Sequence, residues 1–117
     1  MIKIYVDGGT RGSRICMVDK HENKTVVKFR GGNPTNNELE YLALIYALEY
    51  INNRHRNKNI TIYSDSKLIV NQVNGGWRVS TTSLTSLHEK AVSKMNDKIK
   101  LVWVRRNFNL AGHVLED

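Results

Sequence analysis

The segments Ile4-Tyr5-Val6-Asp7 and Ile62-Tyr63-Ser64-Asp65 repeat one pattern, Ile-Tyr-x-Asp, with a long stretch of helical periodicity between them. Each copy reads as a strand ending in aspartate just before a turn or a helix. Between them, Leu39, Leu42, Ala43, Tyr46, Ala47 and Tyr50 recur at helical intervals, which predicts a helix over about 36–53. A strand–helix–strand crossover places the second copy parallel to the first. Side chains alternate along a strand, so each aspartate shares a face with the tyrosine two residues before it. If the strands are neighbours, Asp7 and Asp65 emerge on one face at one sheet end, and ligand sites in such sheets lie at the carboxyl ends of strands. Either aspartate alone reads as a turn cap; the matched pair argues for a shared task.

The rest of the chain supplies a sheet around this unit. Ile2, Ile4 and Val6 alternate with Lys3, Tyr5 and Asp7, and Gly8-Gly9-Thr10-Arg11-Gly12-Ser13 reads as a turn. Ile15 to Val18 and Thr25 to Phe29 are two further strands, joined by the polar turn from Asp19 to Lys24 into an antiparallel meander. Gly31-Gly32-Asn33-Pro34 breaks the pattern before the long helix. After it come a strand from Ile60 to Ser64, a helix from Ser66 to Asn74 closed by Gly75-Gly76, and a helix from Leu84 to Met95. A last strand from Ile99 to Val104 and a short helix from Leu110 to Glu116 follow. The order βββαβααβα describes an α/β protein, a mixed sheet with helices on both faces, and the 117 residues suit one domain with one core.

Composition narrows the function. No apolar run approaches the roughly 18 residues of a membrane span, and the N-terminus enters the strand pattern without signal-peptide architecture. The lone cysteine, Cys16, lies in an apolar stretch and reads as core. A cytoplasmic protein acting as a monomer, with no membrane partner, is expected. The formal net charge of +7 favours polyanions such as nucleic acid, although a merely solvated basic surface would show the same balance. The Gly-Gly-Thr-Arg-Gly-Ser turn has neither the Gly-Lys-Ser/Thr ending of a phosphate loop nor the G-x-G-x-x-G fingerprint.

A third carboxylate comes from the long helix, where Glu38 and Glu40 compete. Two residues apart, they point about 200° apart, so only one faces the sheet. Thr35-Asn36-Asn37-Glu38 is a capping box, with Thr35 as the N-cap and Glu38 as its reciprocal partner. Glu40 shares its face with Ala43, Leu44 and Ala47, and the two alanines allow close approach to the sheet. An inward carboxylate needs a partner. Asp7, Glu40 and Asp65 together would make a hard oxygen site suited to Mg²⁺ or Mn²⁺. Two such ions can clamp the attacking water and the leaving oxygen of a phosphodiester.

With these residues in place the sequence resembles the ribonuclease H family over nearly its whole length. The carrying motifs are IYVDGG at the start, TNNELEYLAL on the long helix, IYSDSKLIVNQVNG in the middle and WVRRNFNLAGHVLE near the end. The resemblance implies a ribonuclease H-like fold with strand order 3-2-1-4-5. It also implies a metal-dependent endonuclease on RNA–DNA hybrids, with two Mg²⁺ or Mn²⁺ ions held by Asp7, Glu40 and Asp65. Gly8 and Gly9 beside the first aspartate, and Asn36 and Asn37 of the TNN element, are implied substrate contacts. GGWRVSTTSLTSL resembles the compact branch of the family, which lacks a separate basic protrusion. Trp77 and Arg78 in that segment, and Lys67 after the second aspartate, are candidates for stacking or phosphate pairing; packing over the next helix is an equal role for Trp77. Arg106 stands where compact members carry an arginine near the scissile phosphate.

The terminal motif departs from the family. An asparagine is usually followed four residues later by aspartate; here Asn109 leads to His113, with Leu115 at the next apolar position. His113 is therefore the expected fourth metal ligand, and Glu116 and Asp117 are alternatives one turn on. This departure keeps open a non-catalytic module on the same fold that binds hybrid or double-stranded RNA. Retention of three acidic residues beside a phosphate favours the enzyme.

Overall fold

The computed structural model describes residues 1–116; Asp117, an alternative ligand in the sequence reading, lies outside the described residues. Strands β1 (Ile2–Gly9), β2 (Arg14–Asp19) and β3 (Lys24–Phe29) form the meander. Helix α1 (Asn36–Arg54) crosses over to β4 (Ile60–Ser64), followed by α2 (Lys67–Val73) and α3 (Thr82–Lys94). Then come β5 (Ile99–Trp103), a 3₁₀ turn at Arg106–Phe108 and α4 (Leu110–Glu116). The sheet order is β3-β2-β1-β4-β5, the order the resemblance implies. β1 runs antiparallel to β2 and parallel to β4.

The register carries the duplicated motif through to the site. Tyr5 pairs with Tyr63 across β1 and β4, and their rings stack at 4.9 Å. Asp7 and Asp65 stand two residues beyond that pair, at the carboxyl ends of adjacent parallel strands. β1 continues past the expected end at Asp7, because Gly8 and Gly9 stay in the ladder opposite Ile15 and Arg14. The turn therefore shrinks to the residues between Gly9 and Arg14.

Strand alternation divides the core between two layers. Ile4, Val6, Ile15, Met17, Ile62 and Leu101 face α1, α2 and α3 and form the main cluster with Leu39, Leu44 and Leu48. Cys16 and Val18 face the other way and pack under Ala111 and Leu115 of α4. Each fully buried Leu or Ile contributes about 1.5–3 kcal/mol against exposure, so the α1 layer supplies most of the stability. Burial and the nearby Asp7 push the Cys16 thiol up to about 12, which makes it an unreactive core residue.

Helix α1 is fixed at both ends. At its start, Glu38 N–H donates to Thr35 Oγ1 and Thr35 N–H donates to the Glu38 carboxylate, the expected capping box. At its end, buried Asp19 on β2 accepts from the Tyr50 hydroxyl at 2.6 Å and lies 2.8 Å from His55 Nε2. Burial alone would raise the Asp19 carboxyl, but these hydrogen bonds outweigh it and hold it below the usual carboxylate range. Among the described residues no helix is long and apolar enough to cross a membrane.

Candidate active site

Three elements deliver three carboxylates to one point. Asp7 lies within β1, Asp65 follows β4, and Glu40 sits in the second turn of α1. One oxygen from each lies within 4.8 Å of the others. Gly8 makes this convergence possible: a Cβ there would collide with the Leu39 carbonyl and stand 2.7 Å from the Glu40 nitrogen. The missing side chain lets the α1 backbone rest on β1, and Gly8 N–H then donates to Glu40 Oε1 at 2.8 Å. Glu40 is thus turned inward, 5 % exposed, while Glu38 two residues earlier serves the cap.

The electrostatics are those of a site short of positive charge. Burial, and then Asp7 and Asp65, push Glu40 up to about 9. Burial, and then Asp65, raise Asp7 to about 6, opposed by Arg106. With Glu40 ionised, Asp7 Oδ1 is buried and has no hydrogen-bond partner among the described residues; a protonated Glu40 would be its donor. An orphaned carboxylate oxygen costs free energy unless a cation or donor meets it. Three hard oxygen donors with one lone pair already unpartnered fit a divalent cation such as Mg²⁺ or Mn²⁺.

These carboxylates line a cavity of about 520 Å³, together with Gly8, Gly9, Arg11, Arg14, Asn36, Arg106 and Glu116. Arg106 approaches Asp65 Oδ2 at 3.5 Å and Asp7 Oδ2 at 4.0 Å. Asn109, fully buried, donates through Nδ2 to the Val6 carbonyl and to Asp65 Oδ2, both at 2.9 Å. It ties α4 to the two strands that carry the aspartates. Arg14 is braced by hydrogen bonds to the Arg11 and Leu115 carbonyls, which hold the β1–β2 turn against the end of α4.

Several expected residues fall elsewhere. His113, expected as a fourth ligand, is exposed and joins neither the carboxylate cluster nor the cavity lining. The residue of α4 turned toward the aspartates is Gly112, where a Cβ would meet Asp65 Oδ2 at 3.4 Å and Asp7 Oδ2 at 3.6 Å. The Asn109 side-chain bonds to Val6 and Asp65, at the start of α4, set the rotation of this short helix. Asn36 and Asn37 are both exposed, but of the two only Asn36 lines the cavity. Trp77 and Arg78 line a separate cleft with Gln72, Val73, His88 and Val92. Lys67 is exposed at the start of α2 and places its ammonium 4.8 Å from the centre of the Trp103 ring, whose Nε1 donates to the Asp65 carbonyl. Sequence reasoning passed over Arg11 and Arg14. Their signal was one arginine in the turn after the first aspartate and another at the start of the next strand.

The sequence profile of a family described as reverse transcriptase-like matches residues 6–115. A ribonuclease H of Neorickettsia sennetsu is 27 % identical over 96 % of this chain and 74 % of its own length. The chain belongs to the ribonuclease H family. A second ribonuclease H, from Desulforamulus reducens, is 34 % identical over 65 % of this chain and about half of its own length (49 %). Among solved structures, LC11-RNase H1, isolated from compost by a metagenomic approach, superposes with a TM-score of 0.82 at 29 % identity, covering 97 % of this chain and 91 % of that one. RNase H1 from the halophilic archaeon Halobacterium salinarum gives 0.75 at 26 % identity, covering 97 % and 92 %. LC11-RNase H1 in complex with an RNA/DNA hybrid gives 0.78 at 27 % identity, covering 94 % and 89 %. The ribonuclease H fold thus extends over nearly all of the chain, and its carboxylates lie where the two parallel strands end.

Proposed function

We propose that this chain is a divalent-metal-dependent endonuclease that hydrolyses the RNA strand of RNA–DNA hybrids. The observation that carries the reading is the convergence of Asp7, Glu40 and Asp65, with one Asp7 oxygen unpartnered when Glu40 is ionised, inside a cavity lined by arginines. The solved hybrid complex of LC11-RNase H1 supports the substrate class. Asp7, Glu40 and Asp65 would hold two Mg²⁺ or Mn²⁺ ions, which supply Lewis acidity at the phosphoryl oxygens and lower the pKa of the attacking water. To hold cations, Glu40 and Asp7 must give up the protons that burial favours. The Arg106 guanidinium then lies within reach of a phosphate at the carboxylate pair, and Gly8, Gly9 and Asn36 present backbone and amide groups beside it. Water adds to phosphorus, the P–O3′ bond breaks, and the leaving oxygen takes up a proton. The products carry 5′-phosphate and 3′-hydroxyl ends. The chain is proposed to work as a monomer.

The test is a cleavage assay on hybrid, double-stranded RNA, double-stranded DNA and single strands, each with Mg²⁺, Mn²⁺ or EDTA, with the ends of the products identified. Metal-dependent cutting of hybrid to 5′-phosphate ends is expected. Products ending in 2′,3′-cyclic phosphate would overturn the mechanism. The second reading, a binding module for hybrid or double-stranded RNA, is favoured by Gly112, because the residue of α4 that meets the aspartates among the described residues carries no carboxylate. Tight binding without cutting under every metal condition would establish it.

A further inference from the structure

Arg106 has two sets of anionic partners on different elements. Its Nη1 faces Asp65 Oδ2 at 3.5 Å and Asp7 Oδ2 at 4.0 Å, while its Nε donates to Glu116 Oε1 at 3.2 Å. The strand carboxylates belong to the catalytic cluster; Glu116 belongs to the last turn of α4 and contributes no oxygen to that cluster. All of these groups line the same cavity. The guanidinium therefore lies beside Asp7 and Asp65 and has a third carboxylate partner, Glu116, from outside the cluster.

We propose that Glu116 is a positioning residue for Arg106, and that Arg106 is the counter-cation of the carboxylate cluster until a divalent cation displaces it. The inference rests on the metal-binding reading above. Asp7 and Asp65 attract either a guanidinium or a metal ion, and the two cations repel each other at this range. When a divalent cation enters, Arg106 must loosen its hold on the aspartates. Glu116 gives it an anionic partner that is not a ligand, so the displaced guanidinium stays in the cavity lining, where a phosphate can meet it. The 3₁₀ turn that carries Arg106 and the last turn of α4 are joined through this pair. The Arg106 side chain is 56 % exposed and that of Glu116 53 %, which leaves both free to move without repacking the core.

The experiment is a double-mutant cycle on Mn²⁺ binding, read by calorimetry and by loss of the free-ion EPR signal, on the full chain without substrate. Arg106→Gln should tighten Mn²⁺ binding roughly tenfold, the scale of a half-exposed charge a few ångströms from the ion. Glu116→Gln should weaken it roughly threefold to fivefold in the otherwise unchanged protein, because Arg106 then rests on the aspartates alone. In the Arg106→Gln background the same Glu116 change should alter affinity by less than about twofold. Glu116→Asp should restore part of the loss. A Glu116→Gln effect that persists in full without Arg106 would mean that Glu116 holds the metal itself, and would overturn the proposal. In EDTA, Arg106→Gln should lower the unfolding midpoint, since the cluster loses its compensating charge; an unchanged midpoint also overturns it. If the unmodified protein binds no Mn²⁺, the metal-dependent reading of the site fails, and the EDTA measurement still decides whether Arg106 offsets the carboxylates.

Discussion

Replacing Glu40 with glutamine should stabilise the metal-free protein while it abolishes turnover. Glu40 is nearly isosteric with Gln, and the Gln side-chain oxygen can still accept from Gly8 N–H as Glu40 Oε1 does at 2.8 Å. The difference lies in protonation. Burial and the neighbouring aspartates raise Glu40 from its ordinary value of 4.5 to about 9. In the fold it binds a proton that the unfolded chain releases above about pH 4.5, so its contribution to stability is complete below that pH and is lost as pH rises toward 9. Each pH unit in this window is worth about 1.4 kcal/mol, giving a ceiling of about 3 kcal/mol at pH 7. The cavity is open to water and Asp7 shares the proton demand, which reduces the expected gain of Glu40→Gln to about 1–2 kcal/mol, or a rise in Tm of roughly 4–10 °C. Urea or thermal unfolding in EDTA at pH 4.5, 6 and 8 measures it. The gain should vanish at pH 4.5 and grow toward pH 8, and Mn²⁺ should raise the Tm of the unmodified protein far more than that of the variant. A variant less stable than its parent at pH 8 in EDTA, or a gain independent of pH, would refute the argument that Glu40 is a buried ionisable group held among like charges.

The neighbouring glutamate should behave differently: Glu38→Gln keeps the capping box and should retain activity, whereas Thr35→Ala should cost about 1 kcal/mol in urea unfolding. Hybrid affinity should fall steeply with salt as phosphate contacts release counterions, and Lys67→Ala or Arg78→Ala should lower the slope of log affinity against log salt by roughly one each; an unchanged slope would remove that residue from the interface. His113→Ala should leave the Mn²⁺ and Mg²⁺ activity profiles unchanged, since its ring stands outside the cluster; a selective loss of Mn²⁺-supported cleavage would return His113 to the metal site.

The positions of Asp7, Glu40 and Asp65 were legible in the chain because each depends on a period internal to one element. The period of two puts each aspartate on the face of its tyrosine, and the period of 3.6 separates Glu40 from Glu38 once the capping box claims the latter. The crossover rule then makes β1 and β4 parallel, and the convergence follows. The meander and the order of elements were legible for the same reason. Arg106 was legible through the resemblance as an arginine near the scissile phosphate; that its guanidinium also meets Asp7, Asp65 and Glu116 depends on separate elements coming together. The placement of α4 was not legible at all. Seven residues make two turns with little periodic signal, and the rotation of this helix is set by the Asn109 bonds to Val6 and Asp65, residues far away in the chain. Those bonds turn Gly112, and not His113, toward the aspartates. Sequence alone therefore determined which carboxylates could share a site, because strand and helix geometry is local. Which groups surround them was decided by tertiary structure, because long-range hydrogen bonds and ion pairs fix how short elements dock.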